Sequence, residues 1–190
     1  MDFVESAVSL TKKYWVPVAV GLAMLCVVLL PLNLLTVQPL HHDEALYATW
    51  ALKIASGDDI WLADTPIDKP PLYLYTLAAA IKLLGVTETA VRTPSLLATT
   101  LIVLFTFWIG YKMYDNSVGV LAAWLVALSP FILLFAPTAF TDPMLVALVL
   151  AGCVVALYKH AGWAGFLLGL AIATKQSKTI VLDCFFGITS

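Results

Sequence analysis

Residues 38–72 read QPLHHDEALYATWALKIASGDDIWLADTPIDKPPL, and this polar stretch lies between long apolar segments. It contains two adjacent histidines and six of the twelve acidic residues of the chain, and it closes on DKPPL. Charged side chains are rare in the hydrocarbon core of a bilayer, so the stretch predicts a loop at a membrane surface. A polar loop held between membrane segments is where chemistry at that surface would take place.

The composition of the whole chain indicates a membrane protein. Of its 190 residues, 62% are hydrophobic and only 12% are charged, and the mean hydropathy is +0.96. Soluble domains contain roughly 45–50% apolar and about 25% charged residues, so this composition predicts an all-α, multi-pass transmembrane protein. The net charge of -2 gives no reason to expect a nucleic acid as partner. Cys26, Cys153 and Cys184 fit no disulfide or metal-binding spacing and are predicted to be packing residues.

The first apolar segment, residues 16–35, has about the length that a helix needs to cross a bilayer core. It is too long for the apolar part of a cleaved signal peptide, and no small-residue cleavage site precedes His41. We therefore expect a signal anchor that keeps Lys12 and Lys13 in the cytoplasm, where positive charges are retained. The loop that follows then lies on the external side.

Two juxtamembrane helices are expected inside this external loop. The first covers residues 43–56, where Leu46, Trp50 and Ile54 recur every fourth residue and would line one apolar face. Gly57 suits the left-handed residue that ends a helix. The second helix follows the two prolines, and its apolar run is too short to cross a bilayer comfortably.

Further spans are predicted at residues 94–111, 118–136 and 143–158, with a weaker one at 162–174. The segment 72–85, the second juxtamembrane helix, decides on which side of the membrane Asp142 lies. If it lies in the interface, Asp142 emerges beside Asp43; if it crosses, Asp142 faces the cytoplasm. The lysine and arginine counts mildly favour crossing, whereas the length of the segment favours the interfacial arrangement, which we adopt.

Five sequence elements follow one another along the chain. They are HHDEALYA at 41–48, DKPPL at 68–72, RTPS at 92–95, SP at 129–130 with TDP at 141–143, and GLA at 169–171 with TK at 174–175. Together they resemble the N-terminal part of GT-C polytopic glycosyltransferases, in the branch of protein O-mannosyltransferases and aminoarabinose lipid A transferases. The resemblance covers residues 38–176 and supports the interfacial arrangement, because this family has juxtamembrane helices in that loop.

The resemblance implies transfer of a sugar from a polyprenyl-phosphate donor to a hydroxyl or phosphate of a protein or lipid acceptor, with inversion. The reaction would take place at the external face, in the cell membrane of a prokaryote rather than in the endoplasmic reticulum. A carboxylate must take the proton of a hydroxyl acceptor, and the candidates are Asp43, Glu44 and Asp142. The leaving phosphate gains negative charge, and the candidates that would stabilise it are Lys69, Arg92 and Lys175.

These residues also have simpler interpretations. Asp43 and Glu44 suit the first turn of a helix through the helix dipole alone, and Asp142 suits an ordinary helix start. His41 and His42 could join a carboxylate around a divalent metal ion, although adjacent side chains point apart. No other cofactor is expected.

The alternative from another functional class is a transporter or channel fragment, in which Asp43, Lys69 and Asp142 would line a path. These charges cluster at segment ends rather than at membrane depth, which favours surface chemistry. A third alternative is an inactive remnant that needs a partner chain.

Four parts are expected in the chain. They are the cytoplasmic N-terminus with the first transmembrane helix (1–37), the external loop (38–92), further transmembrane helices (93–176) and an atypical C-terminal segment (177–190). Because the last segment loses the family likeness, we expect a truncated form of a longer enzyme.

Overall fold

A computed structural model describes residues 2–31, 40–67 and 69–175, with side chains from residue 14 onward. The described residues form eight helices and no strand, which confirms the all-α class for this part of the chain. The helices are α1 (Asp2–Leu29), α2 (His42–Ser56), α3 (Leu72–Leu84), α4 (Glu88–Met113), α5 (Asn116–Ala127), α6 (Pro130–Phe135), α7 (Thr141–Leu157) and α8 (Ala161–Thr174). The side chains of Lys12 and Lys13, the whole of Asp68 and the segment 177–190 lie outside the described residues.

Two predicted spans have different boundaries in the structure. The predicted span 118–136 is divided into α5 and α6, because Pro130 disfavours a helical conformation at Ser129, whose ψ of 125° is extended. The predicted span 94–111 begins earlier, at Glu88. The hydroxyl oxygen of Thr87 accepts a hydrogen bond from the amide of Ala90 at 3.1 Å and so caps this earlier start.

Helix α4 is the one helix among the described residues that is long and apolar enough to cross a membrane, judged by length and composition. It has 26 residues, and at 1.5 Å per residue it is about 39 Å long. Shorter apolar helices are the Tyr14–Leu29 part of α1, α3, α5, α7 and α8. The multi-pass arrangement therefore remains a prediction.

The helices pack around α4, which contacts α1, α3, α5 and α7. Helix α8 packs on α7 after a three-residue connection, as antiparallel neighbours do. Between them Cys153 lies in an apolar cluster with Leu168. The prediction that the cysteines only pack is wrong for Cys153, which is disulfide-bonded, while Cys26 has a free thiol and Cys184 lies outside the described residues.

Helices α2 and α3 pack against each other and form the largest part of one buried cluster. The residues of α2 in this cluster are Tyr47, Trp50, Ala51 and Ile54. The predicted apolar face is wrong at Leu46, which is 43% exposed, because the buried face of the helix is shifted by one residue to Tyr47. The predicted helix end is confirmed at Gly57, whose φ is 90°.

Helices α4 and α5 approach closely at two glycines, Gly110 and Gly119. A Cβ atom added to Gly119 would lie 2.7 Å from the carbonyl oxygen of Phe107 and 2.9 Å from the amide nitrogen of Tyr111. Both are backbone atoms, so the two helices would have to move apart to accept it.

We expect Gly119→Ala to lower the free energy of unfolding by about 1–3 kcal/mol, the usual cost of overpacking. Thermal unfolding in detergent measures this change. Gly165→Ala on α8 is the matched control, because a Cβ there meets no atom within 4 Å. Equal melting temperatures for both variants would show that α4 and α5 do not depend on this approach.

Candidate active site

The start of α2 and the start of α7 meet at one end of the structure, although 95 residues separate the two groups that join them. The carboxylate oxygen Oε1 of Glu44 accepts a hydrogen bond from the backbone amide of Ala139 at 2.6 Å. Asp43 precedes Glu44 directly, and Asp142 follows Ala139 by three residues. The interaction therefore brings the chain segments that carry two predicted carboxylates to the same end.

Glu44 is only 2% exposed, and both of its carboxylate oxygens accept backbone hydrogen bonds. The second oxygen, Oε2, accepts the amide of His41 at 2.7 Å, which is the reach-back bond of a helix N-terminus. The guanidinium Nε of Arg92 lies 3.5 Å from Oε1. A carboxylate with these partners holds segments together, so the geometry favours a positioning role for Glu44 over proton transfer.

Arg92 is as deeply buried as Glu44, with a side chain that is 2% exposed. Its Nη1 lies 4.0 Å from Glu88, one helical turn earlier on α4, and that carboxylate is half exposed. The sequence predicted Arg92 as a ligand of the donor phosphate. Its burial against Glu44 favours a structural contribution instead, because charges buried in proteins are paired.

A second buried connection lies beside this ion pair. The hydroxyl of Ser95 on α4 donates a hydrogen bond to the carbonyl of Phe140 at 3.1 Å, and Tyr73 on α3 contacts the same hydroxyl at 2.8 Å. Helices α3 and α4 are thus tied to the segment that precedes Asp142. The segment that precedes Asp142 therefore lies beside α3 and the start of α4. The interfacial arrangement of α3 stays a prediction.

Asp142 and Lys175 form an ion pair at the same end. The Nζ of Lys175 lies 2.6 Å from Oδ1 of Asp142, and the two side chains are 36% and 57% exposed. Asp142 is in the first turn of α7, while Lys175 follows the last residue of α8, so the antiparallel pair brings both to one end. The sequence predicted both residues but not their pairing. Both side chains remain accessible to a ligand.

Two cavities lie next to these residues and share the rings of Phe135 and Phe140 as a wall. A cavity of about 720 Å³ has a polar part lined by His41, His42, Glu44, Arg92 and Thr138. A second cavity of about 250 Å³ is apolar except for Thr99 and Asp142. Asp43 is exposed at the start of α2, beside the polar cavity's two histidines.

In the loop from α2 to Lys69, the carboxylate of Asp59 holds several groups together. It accepts hydrogen bonds from the hydroxyl of Thr65 at 2.7 Å and from the amides of Ala63 and Asp64 at 2.8 and 3.1 Å. The Thr65 hydroxyl holds the pKa of Asp59 below its usual value, against a smaller opposing effect of desolvation. These bonds are therefore kept at neutral pH and lost only in acid. Lys69, at the end of this loop, is half-buried.

No three histidine, cysteine or acidic side chains of residues 14–31, 40–67 and 69–175 come together in a way that could hold a metal ion. His41 lies instead with its ring 6.0 Å from that of Phe140. The predicted metal site at His41 and His42 therefore gains no support from this part of the chain.

A chain that is helical throughout its described part and carries these motifs in this order corresponds to a glycosyltransferase of the GT-C class. The chain belongs to the dolichyl-phosphate-mannose-protein mannosyltransferase family, which matches residues 68–186, more than half of its length. The match confirms the resemblance seen in the sequence. It includes Lys69, Arg92, Asp142 and Lys175, whereas Asp43 and Glu44 precede it. No curated protein and no solved structure matches the chain.

Proposed function

We propose that the chain transfers a sugar from a polyprenyl-phosphate donor to an acceptor hydroxyl at the external membrane face, with inversion at the anomeric carbon. The family description suggests mannose as the sugar and a protein as the acceptor. The observation that carries the proposal is the hydrogen bond from Ala139 to Glu44. It brings Asp43 and the Asp142–Lys175 pair to one end of the helices, where a single site can use them.

We assign the role of general base to Asp43. Its carboxylate is exposed, whereas that of the adjacent Glu44 is engaged in three interactions. The acceptor oxygen attacks the anomeric carbon and forms the new glycosidic bond while the bond to the phosphate oxygen breaks. The acceptor proton passes to the carboxylate of Asp43. The sugar configuration inverts because attack comes from the face opposite the leaving phosphate.

The leaving polyprenyl phosphate gains negative charge as its bond to the sugar breaks, and a cation placed there lowers the barrier. Lys69 and Lys175 take this role in the proposal. Asp142 holds Lys175 at 2.6 Å, so it orients the ammonium group before the donor binds. Arg92, which the sequence assigned to the same role, is placed in the buried pair with Glu44.

A lipid-linked donor suits the surroundings of this site. The apolar cavity beside Asp142 is bounded by Phe131, Ile132 and Phe135 of α6 and by Val146 of α7. We propose that it takes the isoprene units nearest the phosphate, with α4 crossing the membrane and α2 and α3 lying along its external surface. The membrane would be the cell membrane of a prokaryote.

Lys175→Gln is expected to raise the KM for the lipid donor about tenfold, because one charge-assisted contact to phosphate is lost. Transfer of radiolabelled mannose from polyprenyl-phosphate mannose, in membranes containing the full chain, measures KM and kcat. Lys82→Gln, a change at an exposed lysine near the end of α3, serves as control. An unchanged donor KM in Lys175→Gln would remove this residue from the phosphate site.

A further inference from the structure

A basic and aromatic surface lies at the end of α4 and α7 opposite the candidate active site. We name this surface the basic–aromatic end; it consists of Trp108, Lys112, Tyr158, Lys159, His160 and Trp163, all of them exposed. Tyr158 directly follows α7 and lies 16 residues after Asp142, so the two ends are separated by about 24 Å. This is close to the thickness of a bilayer core, about 30 Å.

The side chains of this surface hold one another in place. The indole Nε1 of Trp108 on α4 donates a hydrogen bond to the hydroxyl of Tyr158 at 3.0 Å. The ammonium of Lys112 lies 4.7 Å from the centre of the same tyrosine ring, in a cation–π contact. Tyr158 thus fixes the ammonium group of Lys112. Because Lys112 is exposed, this group can also contact an anionic partner.

Lys159 adds a second positive charge to this surface, and His160 leads into a cleft. Lys159 has a left-handed φ of 63° and ends α7 with a hydrogen bond from its amide to the carbonyl of Ala156 at 2.8 Å. His160 follows and lines a cleft of about 430 Å³ together with Val155, Trp163, Phe166 and Leu167. The lining of the cleft is therefore apolar except for His160 and the indole nitrogen of Trp163.

We propose that the basic–aromatic end binds an anionic phospholipid, whose headgroup phosphate contacts Lys112 and Lys159 and one of whose acyl chains lies in the cleft beside Trp163. Aromatic side chains with an apolar body and a polar tip suit the level of the headgroups. Lysines near a membrane surface are attracted to anionic lipids rather than to zwitterionic ones. The proposal is independent of the sugar-transfer function, because none of these residues belongs to the candidate active site.

The test is native mass spectrometry of the full chain in detergent, titrated separately with phosphatidylglycerol and phosphatidylcholine. We expect phosphatidylglycerol to bind at least tenfold more tightly. Each lysine should contribute about fivefold, so Lys112→Gln/Lys159→Gln should bring the two affinities close to each other. Lys53→Gln/Lys82→Gln, on α2 and α3, should keep the preference. Equal affinities in the unchanged chain, or a preference that survives Lys112→Gln/Lys159→Gln, would overturn the proposal.

The acyl chain is tested separately from the headgroup. Glycerophosphoglycerol, which has the headgroup without chains, should not displace bound phosphatidylglycerol, whereas Trp163→Ala should weaken binding of the lipid. If glycerophosphoglycerol competes at the lipid's own concentration, the site binds free phosphate esters and the assignment to a lipid is wrong. A thermal unfolding curve for each variant excludes loss of the fold as the cause.

Discussion

Asp43→Asn is expected to lower kcat for sugar transfer by at least about a hundredfold, the usual contribution of a general base. An asparagine has nearly the same size and still accepts a hydrogen bond, but it does not take the acceptor proton. Binding of the lipid donor should change little, because its phosphate contacts Lys69 and Lys175 in the proposed site. The measurement is the initial rate of transfer from polyprenyl-phosphate mannose at saturating donor.

Asp64→Asn is the matched control for this substitution. Asp64 is another exposed carboxylate of the same loop, and only its backbone amide forms a bond to Asp59. It should keep the rate of the unchanged chain. If Asp43→Asn and Asp64→Asn have the same activity, Asp43 is not the base.

Glu44→Ala is expected to lower the free energy of unfolding by about 3–5 kcal/mol, the usual cost of removing one partner of a buried ion pair. The substitution leaves Arg92 charged and buried, and it removes the acceptor of the Ala139 amide. The start of α2 would then lose its connection to the segment that precedes α7. Thermal unfolding of the purified chain in detergent measures the loss.

Glu88→Ala provides the comparison, because it removes the other carboxylate near Arg92. Glu88 is half exposed and 4.0 Å from the guanidinium, so its loss should cost less than about 1 kcal/mol. Similar melting temperatures for Glu44→Ala and Glu88→Ala would contradict the claim that Glu44 holds the two helix starts together.

The local features of residues 38–92, the predicted external loop, could be predicted from the sequence. Gly57 ends α2 as expected, and the prolines before Leu72 start α3, because both depend on backbone preferences of single residues. The division of the predicted span 118–136 into α5 and α6 could also be predicted from the sequence. Ser129 and Pro130 form one of the family elements, and a proline after an apolar run also predicts a helix break.

The long-range contacts of the site could not be predicted from a single sequence. Glu44 and Arg92 are 48 positions apart, so nothing in the sequence indicates their contact. Asp43 and Glu44 are adjacent, and the sequence does not indicate which of the two carboxylates is buried in an ion pair. Burial separates the two carboxylates, because Glu44 is buried and Asp43 is exposed. The ion pair of Asp142 with Lys175 likewise depends on how α7 and α8 pack.

In the proposed arrangement, the start of α2 and the start of α7 face the external side together. Single cysteines at three positions test it in intact cells, with the native cysteines replaced by alanine and a membrane-impermeant maleimide as label. The variants are Asp43→Cys, Asp142→Cys and Lys159→Cys. Positions 43 and 142 are predicted to react in intact cells, and position 159 only after permeabilisation. If position 142 reacts only after permeabilisation, as position 159 is expected to do, the start of α2 and the start of α7 do not share an external site.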